Sequence, residues 1–294
     1  MKRVLVTGGS GQVGGALSQM KVDGVQLVAP PRQIFDLASE ASIKSYLAGE
    51  TFDAIINCAA YTAVDKAETE TERAWYVNAK APAWLAQHCA SKNIPLLHVS
   101  TDYVFSGNLE RPYVEDDVVG PINVYGASKE AGEAGIRVAT DHHIILRTSW
   151  VVSATGANFL KTMLRLAAER DELRVVADQM GRPTSAQDIA QTLCALLTKA
   201  LHGEATYGSF HFANSGDTTW ADFARFIFEA SKARGGPSAH VTSITTDEYP
   251  TPAKRPRNSR LSTQKIEMVC GITPRPWRDA IGNILDTLIP QGAP

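Results

Sequence analysis

The apolar run Arg3–Thr7 breaks into Gly8-Gly9-Ser10-Gly11-Gln12-Val13-Gly14 and then into a helical pattern that ends near Met20. A buried strand, a glycine turn and a helix in that order make half of a crossover unit, and the crossover needs a parallel partner strand. The spacing Gly8-x-x-Gly11-x-x-Gly14 lets the backbone come close to a pyrophosphate, while the helix start supplies amide donors and a positive dipole end. Glycines alone also suit a plain tight turn. The strand before them and the helix after them favour a dinucleotide site.

The pattern repeats down the first half. Strands are predicted at 25–29, 54–57, 96–100 and 144–147, separated by helices at 39–48, 68–92 and 123–140. Ser39 is placed to cap the first of these, and Pro82 to kink the second or start a new segment. Alternation of this kind predicts an α/β fold with a Rossmann-type doubly wound parallel sheet, covered on both faces. After Trp150 the regularity weakens. Helices are predicted at 159–170, 185–200, 219–232 and 276–288. Ser185 and Asp188 are spaced as a capping box, and Phe210–Ala213 reads as a strand returning to the main sheet. The segment Pro250–Pro256, with Asn258 beyond it, has no periodicity. The expected division is a dinucleotide-binding domain over 1–150 plus about 184–214. A smaller, discontinuous C-terminal lobe takes about 151–183 and 215–294.

Bulk properties exclude several classes. With 44% hydrophobic and 20% charged residues among 294, the chain has an ordinary globular composition. A formal net charge of −2 gives no electrostatic footprint for nucleic acid or an anionic membrane. The opening apolar run Val4-Leu5-Val6 is too short for a signal peptide, and no stretch approaches membrane-spanning length. Cys58, Cys89, Cys194 and Cys270 are widely spaced, so neither a disulfide framework nor a zinc site is indicated, and a reduced, cytoplasmic compartment is expected. The adjacent His142 and His143 read as solvated, and no metal is expected.

Two residues carry the chemistry. Tyr125 and Lys129 lie four apart, so on a helix they share a face. An ammonium beside a phenol lowers the phenol pKa and suits it to proton transfer with a carbonyl oxygen. Thr101 ends the strand before that helix, where ligands of open α/β sheets bind, and its hydroxyl can donate to a carbonyl. Asp102 is either a substrate contact or a loop brace. After the second strand stands Pro30-Pro31-Arg32 instead of the acidic residue that binds ribose hydroxyls in NAD enzymes. Arg32 is therefore either a 2′-phosphate contact or a solvated surface residue.

Taken together, these residues resemble the extended branch of the short-chain dehydrogenase/reductase superfamily, and within it the dTDP-4-dehydrorhamnose reductase family. The segments Asn57–Glu68, Ser100–Phe105, Asn123–Gly126, Arg147–Trp150, Asn158-Phe159, Thr162–Arg165, Asp178-Gln179, Pro183-Thr184 and Arg255–Ser259 look like that family's landmarks. The resemblance covers nearly the whole chain. It implies NADPH-dependent reduction, with NADH as the alternative, of the C4 ketone of dTDP-4-dehydro-6-deoxy-L-mannose to dTDP-L-rhamnose, a precursor of bacterial surface polysaccharides.

By the same resemblance Thr101, Tyr125 and Lys129 are catalytic. Gly8, Gly11, Gln12, Val13, Gly14, Asp36, Leu37, Ala60, Tyr61, Thr62 and Val99 contact the cofactor, with Tyr125 and Lys129, while Arg32, where the chain departs from the family, stays a candidate 2′-phosphate contact. Thr101, Asp102 and Trp150 contact the dTDP-sugar. Arg257 and Asn258 are candidates for the nucleotide end, Arg257 alternatively bracing the lobe. Trp150 alternatively fills the lobe interface. A homodimer is compatible with the chain, though no residue pattern demands it. A dehydratase is disfavoured because Tyr103, not glutamate, follows Asp102. An epimerase shares the fold, and a non-catalytic subunit like the methionine adenosyltransferase beta subunit would bind the dinucleotide without turnover.

Overall fold

Strand β1 (Lys2–Thr7) turns Val4 and Val6 to one face of a sheet and Leu5 to the other, the two-residue period of a strand buried on both sides. In the computed structural model, which describes residues 1–289, it is followed by α1 (Gln12–Ser18), β2 (Val25–Val28), α2 (Glu40–Gly49) and β3 (Ala54–Asn57). Next come α3 (Val64–Ala67), α4 (Thr71–Trp75), a π-helical turn Tyr76–Lys80, α5 (Ala81–Lys92) and β4 (Leu96–Thr101). A 3-10 turn at Asp102–Val104 leads toward α6 (Val124–Ala139) and β5 (His143–Thr148). The long helix expected over 68–92 runs unbroken from Thr71 to Lys92, with a π-helical turn at Tyr76–Lys80 immediately before Pro82.

The second half runs through β6 (Val151–Val152), α7 (Phe159–Ala167), β7 (Glu172–Val176), β8 (Met180–Gly181), β9 (Thr184–Ser185), α8 (Ala186–Leu201) and β10 (Gly208–His211). It ends with β11 (Thr218–Thr219), α9 (Trp220–Lys232), β12 (His240–Ile244), α10 (Gln264–Cys270) and α11 (Trp277–Leu288).

Six strands form one parallel sheet in the order β10-β5-β4-β3-β1-β2. The chain leaves β1 in one direction to make β2 and then crosses to make β3, so the strand order reverses between β1 and β3. One face carries Val4, Val6, Ile56, Leu97, Ile144 and Leu146 against α1, α8 and α10. The other carries Leu5, Ile55, Leu96 and Ile145 against α2, α5 and α6. A separate core joins α7, α9 and α11, with Phe223 and Phe226 edge-on to buried Trp277 at 5.5 and 4.8 Å. The last part of the chain is divided between the cores: α10 places Ile266 and Cys270 on the sheet while α11 packs in the second lobe.

Two local expectations are corrected. Ser185 does cap α8, accepting from the Gln187 and Asp188 amides, but Asp188 does not close a capping box. Its carboxylate instead takes Arg275 Nε at 2.9 Å and Asn214 Nδ2 at 2.7 Å, because tertiary partners with charge outcompete the local amide. His143 is buried at the start of β5 with Nδ1 2.6 Å from Thr140 O, and His142 stacks on Tyr207, so neither is simply solvated.

Helix α6 is held by buried charge. Arg147 on β5 meets Glu133 through Nη2 at 2.7 Å and Nε at 3.0 Å, with both side chains almost wholly buried. Burial opposes the Glu133 carboxylate, yet the Arg147 hydrogen bonds hold its pKa below the usual value. Arg147→Met leaves that buried carboxylate with the half-exposed Arg137, at 3.0 Å, as its one charged hydrogen-bond partner among the described residues. Urea unfolding is expected to show a loss of about 3–5 kcal/mol, with part of it regained in Arg147→Met/Glu133→Leu. A loss under about 1 kcal/mol would count against this anchoring role.

Candidate active site

The glycine loop fits a phosphate cradle for steric reasons. Gly8 has φ +70°, and a Cβ on it would sit 2.8 Å from the Ala59 backbone at the end of β3. A Cβ on Gly14 would come within 2.2 Å of Gly8 O, so α1 begins directly against the loop. The first turn of α1 has no side-chain cap and no acidic residue, which leaves its amide donors for an anion. The loop lies at the β1/β3 reversal, where open α/β sheets bind ligands.

Beside it, the Ala60–Thr62 loop is fixed by Asn78 of the π-helical turn. Asn78 Oδ1 accepts from Tyr61 N at 2.7 Å, while Nδ2 donates to Tyr61 O and to Ser128 Oγ on α6, both at 3.0 Å. Gly132 lets α6 approach this turn: a Cβ there would sit 2.1 Å from Asn78 O. Tyr125 and Lys129 are therefore carried by a helix in register with both the Ala60–Thr62 loop and β4. Asn123 caps that helix through Gly126 N.

Lys129 is buried, and its Nζ donates to Val99 O at 2.8 Å and lies 3.1 Å from His98 Nε2. Burial pushes its pKa down to about 8, with Glu133 acting the other way. Tyr125 stands edge-on to Tyr103 at 5.6 Å. The expected depression of its pKa by Lys129 is not found: burial raises the phenol above its ordinary value, with the Thr101 hydroxyl acting against it. The reason is geometric, since the Lys129 hydrogen bonds run to His98 and Val99. Thr101 Oγ1 donates to Asp102 Oδ1 at 2.9 Å and accepts from Tyr103 N at 3.2 Å. Asp102 is buried, its Oδ2 has no partner among the described residues, and burial raises its pKa to about 6.

The remaining sequence candidates are dispersed. Arg32 and Asp36 pair at 3.2 Å on the exposed loop after β2, and Asp36 also accepts from Ala38 N. Val13 and Leu37 place their side chains in the cores flanking the sheet, leaving their backbone for a ligand. Trp150 has the left-handed φ of 47°, unusual for a bulky residue, and stacks on Trp220 at 3.5 Å. Gly181 permits that stack, since a Cβ would sit 2.3 Å from the Trp150 ring. Asn258 is fully engaged: Nδ2 donates to Leu109 O and Arg111 O, and Oδ1 accepts from Arg260 N and Nε. It joins the aperiodic segment to the loop after β4, while Arg257 beside it is exposed.

Residues that spacing did not single out complete the site. Asn57, His98 and Asn78 are buried polar groups with partners on other elements, so no local pattern marks them. Gln12 was expected to face a cofactor. Its Oε1 accepts from Ser153 Oγ at 3.0 Å and Asn158 Nδ2 at 2.9 Å, tying the glycine loop to the start of α7. Among the described residues, no cluster of three or more His, Cys, Asp or Glu is arranged to hold a metal ion. No helix among them is long and apolar enough to cross a membrane.

Comparison with known proteins gives a consistent result. The family model described as RmlD substrate binding domain matches residues 1–289. A dTDP-4-dehydrorhamnose reductase of Sinorhizobium fredii is 42% identical, with 99% of each chain covered. The Bacillus subtilis spore coat polysaccharide biosynthesis protein SpsK is 38% identical, with 97% of each covered. Among solved structures, a dTDP-4-dehydrorhamnose reductase of Bacillus anthracis in complex with NADP superposes with a TM-score of 0.89 at 32% identity, covering 97% of this chain and 99% of that one.

Asp102 gives the site a pH signature. Its folded pKa, about 6, lies above the ordinary 3.8, so its contribution to stability is whole below 3.8 and is lost as pH rises through 6. Asp102→Asn is expected to match wild type near the bottom of that range and to be more stable by up to about 3 kcal/mol at neutral pH. Thermal melts across the range test this, and parallel curves for the two proteins would contradict it.

Proposed function

The chain belongs to the RmlD family of dTDP-4-dehydrorhamnose reductases, NAD(P)H-dependent oxidoreductases, and on that premise we propose that it reduces the C4 ketone of dTDP-4-dehydro-6-deoxy-L-mannose to give dTDP-L-rhamnose. The observation that carries the reading is the meeting of Thr101, Tyr125 and Lys129 at the carboxyl end of β4, beside the glycine loop at the strand-order reversal.

NADPH is the expected cofactor, held at its pyrophosphate by Gly8, Gly11, Gln12 and Gly14 and along its length by Ala60, Tyr61, Thr62 and Val99. When bound, it supplies the hydride that forms the new C–H bond at C4 of the sugar. As that bond forms, the carbonyl π pair moves onto oxygen. Thr101 holds this oxygen, and Tyr125 gives it a proton. A phenol raised above its ordinary pKa by burial is protonated at neutral pH, which is the state a donor needs. Lys129 is assigned to the nicotinamide ribose of the bound cofactor. Asp102 and Trp150 are assigned to the sugar, and Arg257, exposed and free to turn, to the diphosphate.

The test is loss of reduced-nicotinamide absorbance with enzymatically made 4-ketosugar nucleotide. Turnover is expected and should drop by about a hundredfold or more in Tyr125→Phe. Near-normal turnover in that variant would remove Tyr125 from the mechanism, and dinucleotide binding without turnover on any 4-ketosugar nucleotide would favour a regulatory subunit instead.

Cofactor preference has its own prediction. With Pro30-Pro31-Arg32 after β2, NADPH should be used faster than NADH, and Arg32→Glu should cut the ratio of the two kcat/KM values by about tenfold or more. An unchanged ratio would return Arg32 to the role of a partner for Asp36 alone.

A further inference from the structure

A buried polar string outside the proposed proton step reaches Lys129 from the glycine-loop side of the sheet. Thr7 Oγ1 lies 2.5 Å from Asn57 Oδ1, Asn57 Nδ2 lies 2.9 Å from His98 Nδ1, and His98 Nε2 lies 3.1 Å from Lys129 Nζ. The four residues come from β1, β3, β4 and α6 and are all buried, Asn57 and His98 completely.

An ammonium has three N–H donors and no acceptor. Val99 O takes one at 2.8 Å and His98 Nε2 meets a second at 3.1 Å. Burial and the Lys129 charge keep His98 neutral. A neutral ring has one bare nitrogen, and the one facing an ammonium must be that nitrogen. The ring proton then sits on Nδ1 and faces the Asn57 carboxamide. For the carboxamide oxygen to meet that proton the amide turns over, so that its NH₂ faces Thr7 Oγ1, which already accepts from Ala59 N at 3.1 Å, and the 2.5 Å contact with Thr7 lengthens by a few tenths of an ångström. A residue that only filled the strand would resemble its apolar neighbours Leu96 and Leu97; His98 has partners at both nitrogens.

We propose that His98 is a positioning residue for the reduction: together with the Val99 carbonyl it fixes two N–H bonds of Lys129 and so aims the third into the site beside Tyr125. The inference rests on the role proposed above for Lys129. His98→Phe keeps a ring and removes both nitrogens, whereas His98→Gln keeps an acceptor.

In His98→Phe, kcat is expected to fall about tenfold to a hundredfold, as for a misplaced catalytic group. The Lys129 titration, read by carbon-13 NMR at Cε and assigned with Lys129→Arg, should move down by about one unit as the ammonium loses an acceptor. His98→Gln should recover most of both. Unchanged kcat and titration in the Phe variant, an upward shift, or equal impairment in both variants would overturn the proposal. The unmodified protein supplies a test that does not depend on folding of a variant: nitrogen-15 shifts should show the His98 proton on Nδ1, and a proton on Nε2 would overturn it. Turnover retained in Lys129→Met would sink the role of Lys129 itself. Turnover lost in Lys129→Met but kept in His98→Phe would sink only the role of His98.

Discussion

The geometry around the site turns on a lysine ammonium kept out of water. A buried cation must be met by acceptors, and the long side chain must be frozen for them to reach it. At Lys129 this is done by one strand and its own helix: Val99 O and His98 Nε2 approach from β4, and Glu133 lies one turn further along α6. Glu133 is itself pinned by Arg147 on β5. The helix carrying Tyr125 is thus locked to two adjacent strands by charge as well as by the apolar contact of Ile136, and its distance from β4 is set within narrow limits.

The same economy joins the two cores. Polar clasps tie later segments of the chain to the sheet and its loops at several points. Gln12 is bonded to Ser153 and Asn158, Asp65 to Arg255, and Asn258 to the backbone of Leu109 and Arg111. Asn123, which caps α6 through its side-chain oxygen, also donates to Lys254 O. Three of these contacts involve segments that build the site: the glycine loop, the start of α6 and the loop after β4.

Legibility followed the range of the interactions. The glycine loop, the strand alternation and the Tyr125/Lys129 spacing are local patterns, and each element stands where the pattern predicted. The caps Ser39 and Ser185 were also readable, since a cap needs only an amide two or three residues away. What failed were inferences about environment. Ser185 and Asp188 had the spacing of a capping box, but Asp188 was claimed by Arg275, 87 residues away. Tyr125 and Lys129 did share a helix face, yet burial raised the phenol, and the ammonium hydrogen bonds run to His98 and Val99. His98 lies in the strand predicted at 96–100, and no spacing singled it out.

Backbone periodicity and glycine sterics act over a few residues, so the order of strands and helices, the cradle after β1 and the helix face bearing Tyr125 and Lys129 were already specified along the chain. The charge state and aim of those side chains were not. They depend on desolvation and on partners brought from β1, β3 and β5, which act only once the sheet has assembled, and no spacing within the chain encodes them.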